Sequence, residues 1–165
     1  MHAKAKGSLG ELLVAAKLIE EGCYVFTELG DLSAVDLIAL VDDKPVKIQV
    51  KAAMSSKGKV HIRADKAGPN YRFTYTTKMI DVFAILVLDT KQIFFASAIE
   101  VLAQNDFTLR LDKPKNGQKS GIRFGKDYAE FRKALRDCTL RTLTDKAEGE
   151  ETVQTAKKET SASES

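Results

Sequence analysis

The 165-residue chain contains no tryptophan, two histidines, two cysteines and three prolines. Cys23 and Cys138 stand far apart and form no Cys-x-x-Cys pair. That argues against a disulfide framework and a thiolate zinc site, and it suits a reducing compartment. His2 and His61 are not spaced as a pair of metal ligands. No apolar run approaches the roughly 20 residues that a membrane span requires. The opening residues, MHAKAKGSLGE, are basic but lead into no apolar segment and no small-residue cleavage site. A cytoplasmic protein with neither signal peptide nor membrane partner is therefore expected. The chain has no Gly-Lys-Ser/Thr phosphate loop and no Ser-His-Asp arrangement, which argues against nucleotide hydrolysis and acyl transfer.

What the chain does have is charge, unevenly placed. Residues 145–165 hold three basic and six acidic side chains, while the net charge of the whole is +3, so residues 1–144 carry +6. A basic domain followed by an acidic tail fits a polyanionic partner. The tail has no aromatic residue, Leu or Ile, and is expected to be disordered. Residues 1–144 are long enough for one domain with its own core.

Periodicity supplies the elements. Leu9, Leu12, Leu13, Ala16 and Ile19 recur at helical spacing, with Ser8 as a candidate cap, Glu11 three residues on, and Gly22 as the stop. Glu11 thus has an ordinary capping role open to it. A short strand is expected over 23–27. The stretch from Ser33 to Met54 reads as two strands joined by a turn at Asp42-Asp43-Lys44-Pro45. Pairing Val41 with Val46 would set Asp36 opposite Lys51, with Gln49 one diagonal step away. Strand side chains alternate, so Gln49 and Lys51 share one face and Ile48 and Val50 the other. Short strands are expected at 60–63 and 71–75. The run DVFAILVL has the continuous apolar character of a strand buried on both faces, with QIFFASA as its hairpin partner. A short helix at 98–104, strands at 107–111 and 121–124, and a helix at 127–136 follow. This order indicates an α/β or α+β domain built on a mixed sheet.

Glu11 on the helix, Asp36 on the first hairpin strand and Gln49-Val50-Lys51 on the second resemble the PD-(D/E)xK nuclease superfamily. Its members include restriction enzymes and archaeal Holliday junction resolvases. Val35 stands where the name-giving motif has Pro, and Gln49 where it has an acid. The Gln-x-Lys variant is similar to that of bacterial intron-encoded homing endonucleases of the superfamily, while Asp31 and Ser33 resemble the resolvase branch. The resemblance implies a restriction-endonuclease-like fold, a mixed central sheet with flanking helices. It implies a Mg²⁺- or Mn²⁺-dependent endonuclease acting on double-stranded DNA, site-specific in the homing or restriction manner. Asp36 would be the central metal ligand, joined by Glu11, Gln49 and the Val50 carbonyl, and Lys51 would face the scissile phosphate. A Holliday junction resolvase is the alternative within the class, and a catalytically inactive DNA-binding module is the alternative outside it.

Two basic stretches are candidates for DNA contact. The first holds Lys57, Lys59, Arg63, Lys66 and Arg72, with Asn70 and Tyr71 among them. The second holds Lys113, Lys115, Lys119, Arg123 and Lys126. Lys and Arg neutralise phosphates, and Arg and Asn can also read base edges. One site per chain implies a homodimer or homotetramer if both strands are cut.

Overall fold

The computed structural model describes residues 2–28, 33–68, 71–104, 106–112 and 121–138. The expected acidic tail, residues 145–165, lies outside the described residues, as do Asn70, Lys113, Lys115 and Lys119. Among the described residues no helix is long and apolar enough to cross a membrane.

The chain opens with α1, Ala3–Glu20, and continues into β1, Tyr24–Thr27, and the hairpin of β2, Leu37–Val41, and β3, Lys44–Ala53. The excursion after the hairpin contains β4, Lys59–Arg63, β5, Asp65–Gly68, and β6, Tyr71–Thr74. The chain then returns through β7, Val82–Val87, and β8, Ile93–Ser97, to α2, Ala98–Leu102, and β9, Asp106–Arg110. A 3-10 turn, Gly125–Tyr128, leads to a last helix, α3, at residues 131–138.

Five strands make a mixed central sheet in the order β1-β2-β3-β7-β8. All its neighbours are antiparallel except β3 and β7, which run parallel. β7 is buried throughout, as a continuous apolar run at the centre of a sheet requires. One face of the sheet packs Ile48, Val50, Val82 and Ala84 against Val14 and Leu18 of α1, together with Phe131 and Ala134 of α3. The other face packs Phe83, Ile85 and Val87 against Val60, Ile62, Phe107 and Leu109 of the β4–β9 pair and Val101 of α2. The fold is thus the expected α+β arrangement with a mixed central sheet and flanking helices.

Three local expectations are corrected. α1 begins at Ala3, so Ser8 lies inside the helix, the Ser8–Glu11 capping box does not exist, and no side chain caps the start. The residues before Leu9 are mostly Ala and Lys, strong helix formers that extend the helix without contributing an apolar stripe. The hairpin turn is shorter than expected. Asp42 and Asp43 adopt φ of 50° and 62°, the pair of left-handed residues that a two-residue type I′ turn needs, and Val41 pairs with Lys44. Each later pair shifts accordingly: Leu37 pairs with Ile48, so Asp36 stands beside Gln49 rather than Lys51. The final helix lies later than 127–136, because Gly125–Tyr128 forms a 3-10 turn ahead of it.

Candidate active site

The site forms where β3 outlasts its partner. β2 pairs with β3 only as far as Ile48, whereas β3 continues to Ala53 with β7 along its other edge. Beyond Ile48 the backbone of β3 needs other partners. Asp36, just ahead of β2, supplies one: its Oδ2 accepts the Val50 N–H at 2.7 Å, and its own N–H donates to the Ile48 carbonyl at 3.0 Å. Asp36 therefore caps the open edge of β3 with its side chain. That explains an acid at the entrance to an apolar strand.

Gln49 lies under this carboxylate and is 7% exposed. Its Nε2 donates to Asp36 Oδ2 and, at 3.1 Å, to the Val50 carbonyl. Two oxygens of different residues thus converge on one electropositive group. Glu11 approaches from α1, and Gly10 explains how. A Cβ at position 10 would stand 3.2 Å from both the Ala52 Cβ and the Val50 Cγ1, so the missing side chain lets the helix settle onto β3 beside the site.

Electrostatics mark this cluster. The Asp36 carboxyl is pushed up to about 6, chiefly by burial and further by the Glu11 charge, against the Val50 hydrogen bond and the positive charges of Lys51 and Lys66. Lys51 is half-buried, and burial draws its ammonium below the usual lysine range, against the pull of Asp36 and Asp65. Its Nζ donates to the Asp65 carbonyl at 3.1 Å and the Tyr75 hydroxyl at 3.3 Å. The structure therefore brings Glu11, Asp36, Gln49, Val50 and Lys51 together. Asp65 and Tyr75 were missed by sequence reasoning, since nothing in their local pattern indicates that the excursion folds back onto Lys51.

The donor set fits a hard divalent cation. It offers carboxylate, amide and backbone oxygens with no thiolate or imidazole. Among the described residues no three His, Cys, Asp or Glu side chains cluster to hold a metal, so two carboxylates need the amide and the carbonyl to complete a ligand set. Asp36 Oδ2 and the Val50 carbonyl already converge on the Gln49 NH₂, a neutral donor. A half-turn of that amide replaces its nitrogen by its oxygen. The same side chain can therefore satisfy the bare oxygens or join them as a ligand.

The candidate DNA contacts divide by environment. Lys57 is exposed at a left-handed turn position, φ 50°, before β4. Lys59 and Arg63 alternate with buried Val60 and Ile62 on the outer face of β4. Arg63 and Arg72 both grip the Asp65 carboxylate, yet their side chains remain 57% and 62% exposed. Lys66 is near enough to influence both Asp36 and Lys51. Tyr71 opens β6. Arg123 is directed inward, its Nε 2.7 Å from Glu100 and its guanidinium 4.9 Å from the Phe107 ring centroid, while Lys126 is exposed near Phe124.

No curated protein matches the chain. Among solved structures, the bacterial homing endonuclease I-Ssp6803I superposes with a TM-score of 0.67 at 19% identity, over 86% of this chain and 99% of that one. At that identity the likeness is one of fold. A sequence profile of the PD-(D/E)XK endonuclease family matches residues 1–131, most of the chain, and the protein belongs to that family.

Proposed function

We propose that the protein is a divalent-metal-dependent endonuclease that hydrolyses phosphodiester bonds in double-stranded DNA at a specific site. The convergence of Asp36 Oδ2 and the Val50 carbonyl on one electropositive group, with Lys51 on the same strand, carries this reading. Asp36, Glu11, Gln49 and Val50 would hold Mg²⁺ or Mn²⁺. The cation would supply charge stabilisation for the phosphoryl oxygens and an acidified water. The protein's own groups do the rest. Asp36 orients the ligand set and caps β3, Gln49 switches between donor and ligand, and Lys51 neutralises charge developing on the phosphate. The exposed arginines and lysines of β4–β6 neutralise backbone phosphates beside the site. One such site per chain calls for at least a dimer to cut both strands.

Gln49 also supports a second reading. Its amide donates to both Asp36 and the Val50 carbonyl, and an uncharged side chain where the family has an acid is what a DNA-binding module that no longer cleaves would carry. Cleavage of a plasmid library and of a synthetic four-way junction, in Mg²⁺ and in EDTA, separates the readings. Mg²⁺-dependent cutting at a discrete duplex site is expected. Junction-only cutting would make the protein a resolvase, and metal-independent binding without cutting would make it a binding module.

Gln49→Glu tests the amide directly. A third carboxylate at the site should lower the Mg²⁺ concentration for half-maximal cleavage by about tenfold, because charge count sets affinity for hard cations. Without metal, the same change crowds like charges and should lower the melting temperature at neutral pH. A variant equal to wild type in both respects would remove Gln49 from the ligand set.

A further inference from the structure

Lys51 is held at three points before any substrate arrives. Its ammonium donates to the Asp65 carbonyl and the Tyr75 hydroxyl, at 3.1 and 3.3 Å, and stands 4.7 Å from the centroid of the Tyr75 ring. Neither partner belongs to the hairpin that bears Lys51: Asp65 opens β5, and Tyr75 follows β6.

Each partner is itself fixed. Tyr75 is 4% exposed, and its ring meets Phe73 and Phe83 edge-on at 5.3 and 5.7 Å. Phe83 lies on β7 directly beside Gln49, so the tyrosine is anchored to the strand pair that bears the site. The Asp65 side chain is 8% exposed. Its carboxylate accepts Arg63 Nε at 3.0 Å, Arg63 Nη2 at 2.9 Å and Arg72 Nε at 2.8 Å. Those bonds tie the end of β4 to β5 and β6, and they hold the Asp65 carbonyl that Lys51 meets.

A lysine side chain is a flexible stem with a point charge at its end. Left free, it would have to be ordered in the transition state, at an entropic cost that a preorganised site avoids. Here two of the three ammonium protons are committed to fixed oxygens and the charge rests against an aromatic face, which leaves one proton for an incoming oxygen. We propose that Tyr75 is a positioning residue for Lys51, its hydroxyl and ring acting with the Asp65 carbonyl to fix where the ammonium meets the scissile phosphate. This rests on the reading of Lys51 as the phosphate-facing cation of a nuclease.

The test uses the full chain with Tyr75→Phe, which keeps the ring, and Tyr75→Leu, which keeps neither group. A small misplacement of a reacting group can cost about 100-fold. The leucine variant should approach that loss in kcat, and the phenylalanine variant about 10-fold, with KM unchanged in both. In a Lys51→Ala background neither substitution should reduce the residual rate further. Equal losses in both backgrounds, or a loss confined to KM, would overturn the proposal. A readout without activity runs alongside: thermal unfolding of Lys51→Met, Tyr75→Phe and the double variant. The double variant should lose less melting temperature than the two single losses together, and strict additivity would overturn the contact. If the wild type cleaves nothing, the unfolding cycle still decides the matter, so failure of the nuclease reading and failure of this proposal are distinguishable.

Discussion

Asp36→Asn should make the protein more stable and inactive. The folded-state carboxyl titrates near 6, against an ordinary 3.8, because burial and the Glu11 charge disfavour its ionised form. A group whose pKa is raised by folding contributes stability that is fully present below its unfolded pKa and is lost as pH rises through its folded pKa. Wild type therefore sheds stability between about pH 4 and pH 7, at roughly 1.4 kcal/mol per pKa unit. Asparagine removes the charge but keeps an oxygen for the Val50 N–H. At about pH 7.5 the gain should be near 2–3 kcal/mol, or roughly 4–12 °C in melting temperature for a chain of this size. Near pH 3.5 the two proteins should melt together. Added Mg²⁺ should narrow the gap at neutral pH, since a ligand that binds only the folded wild type stabilises it by mass action. Cleavage should fall by about a thousandfold, the several kcal/mol of charge stabilisation that a metal site supplies. Calorimetry across pH, with and without Mg²⁺, checks the thermal part. A variant less stable than wild type at neutral pH would show that the cap on the Val50 N–H outweighs the cost of burying the Asp36 charge.

Lys51→Ala should reduce kcat by about 10²–10³-fold, the cost of removing one preorganised group that stabilises transition-state charge. DNA affinity should hardly change, because losing one phosphate contact alters the salt slope by at most about 0.9. Filter binding in EDTA beside single-turnover cleavage in Mg²⁺ separates the two quantities. Equal losses in binding and turnover would make Lys51 an ordinary backbone contact. The substitution also strips the Asp65 carbonyl and the Tyr75 hydroxyl of a donor, so some loss of melting temperature should accompany the loss of rate.

The legibility of the chain followed the range of the interactions involved. The apolar run of β7 announced a buried central strand, because burial on both faces leaves no alternation to misread. Gln49 and Lys51 could be placed on one face from the period of two alone. The register was not legible. It depended on Asp42 and Asp43 both entering the left-handed region, which aspartate tolerates but composition does not announce. The start of α1 was not legible because its first turns have no apolar stripe, and Gly10 has its reason in a distant strand, where Ala52 and Val50 leave no room for a side chain. Asp65 and Tyr75 were invisible for a different reason. The charges around them read as a solvated basic segment, whereas the partner that organises them, Lys51, arrives from a distant strand. Arg123 shows the converse: its charge was legible, and the Glu100 that draws it inward was not.

The proposed nuclease activity requires a divalent cation held by Asp36 and its neighbours. Single-turnover cleavage of duplex DNA by wild type and Asp36→Asn, in Mg²⁺ and in EDTA, tests this most directly. Discrete cutting by the wild type in Mg²⁺ and none in EDTA, with the variant about a thousandfold slower in Mg²⁺, is the predicted result. Cutting that persists in EDTA, or in the variant at the wild-type rate, would contradict it.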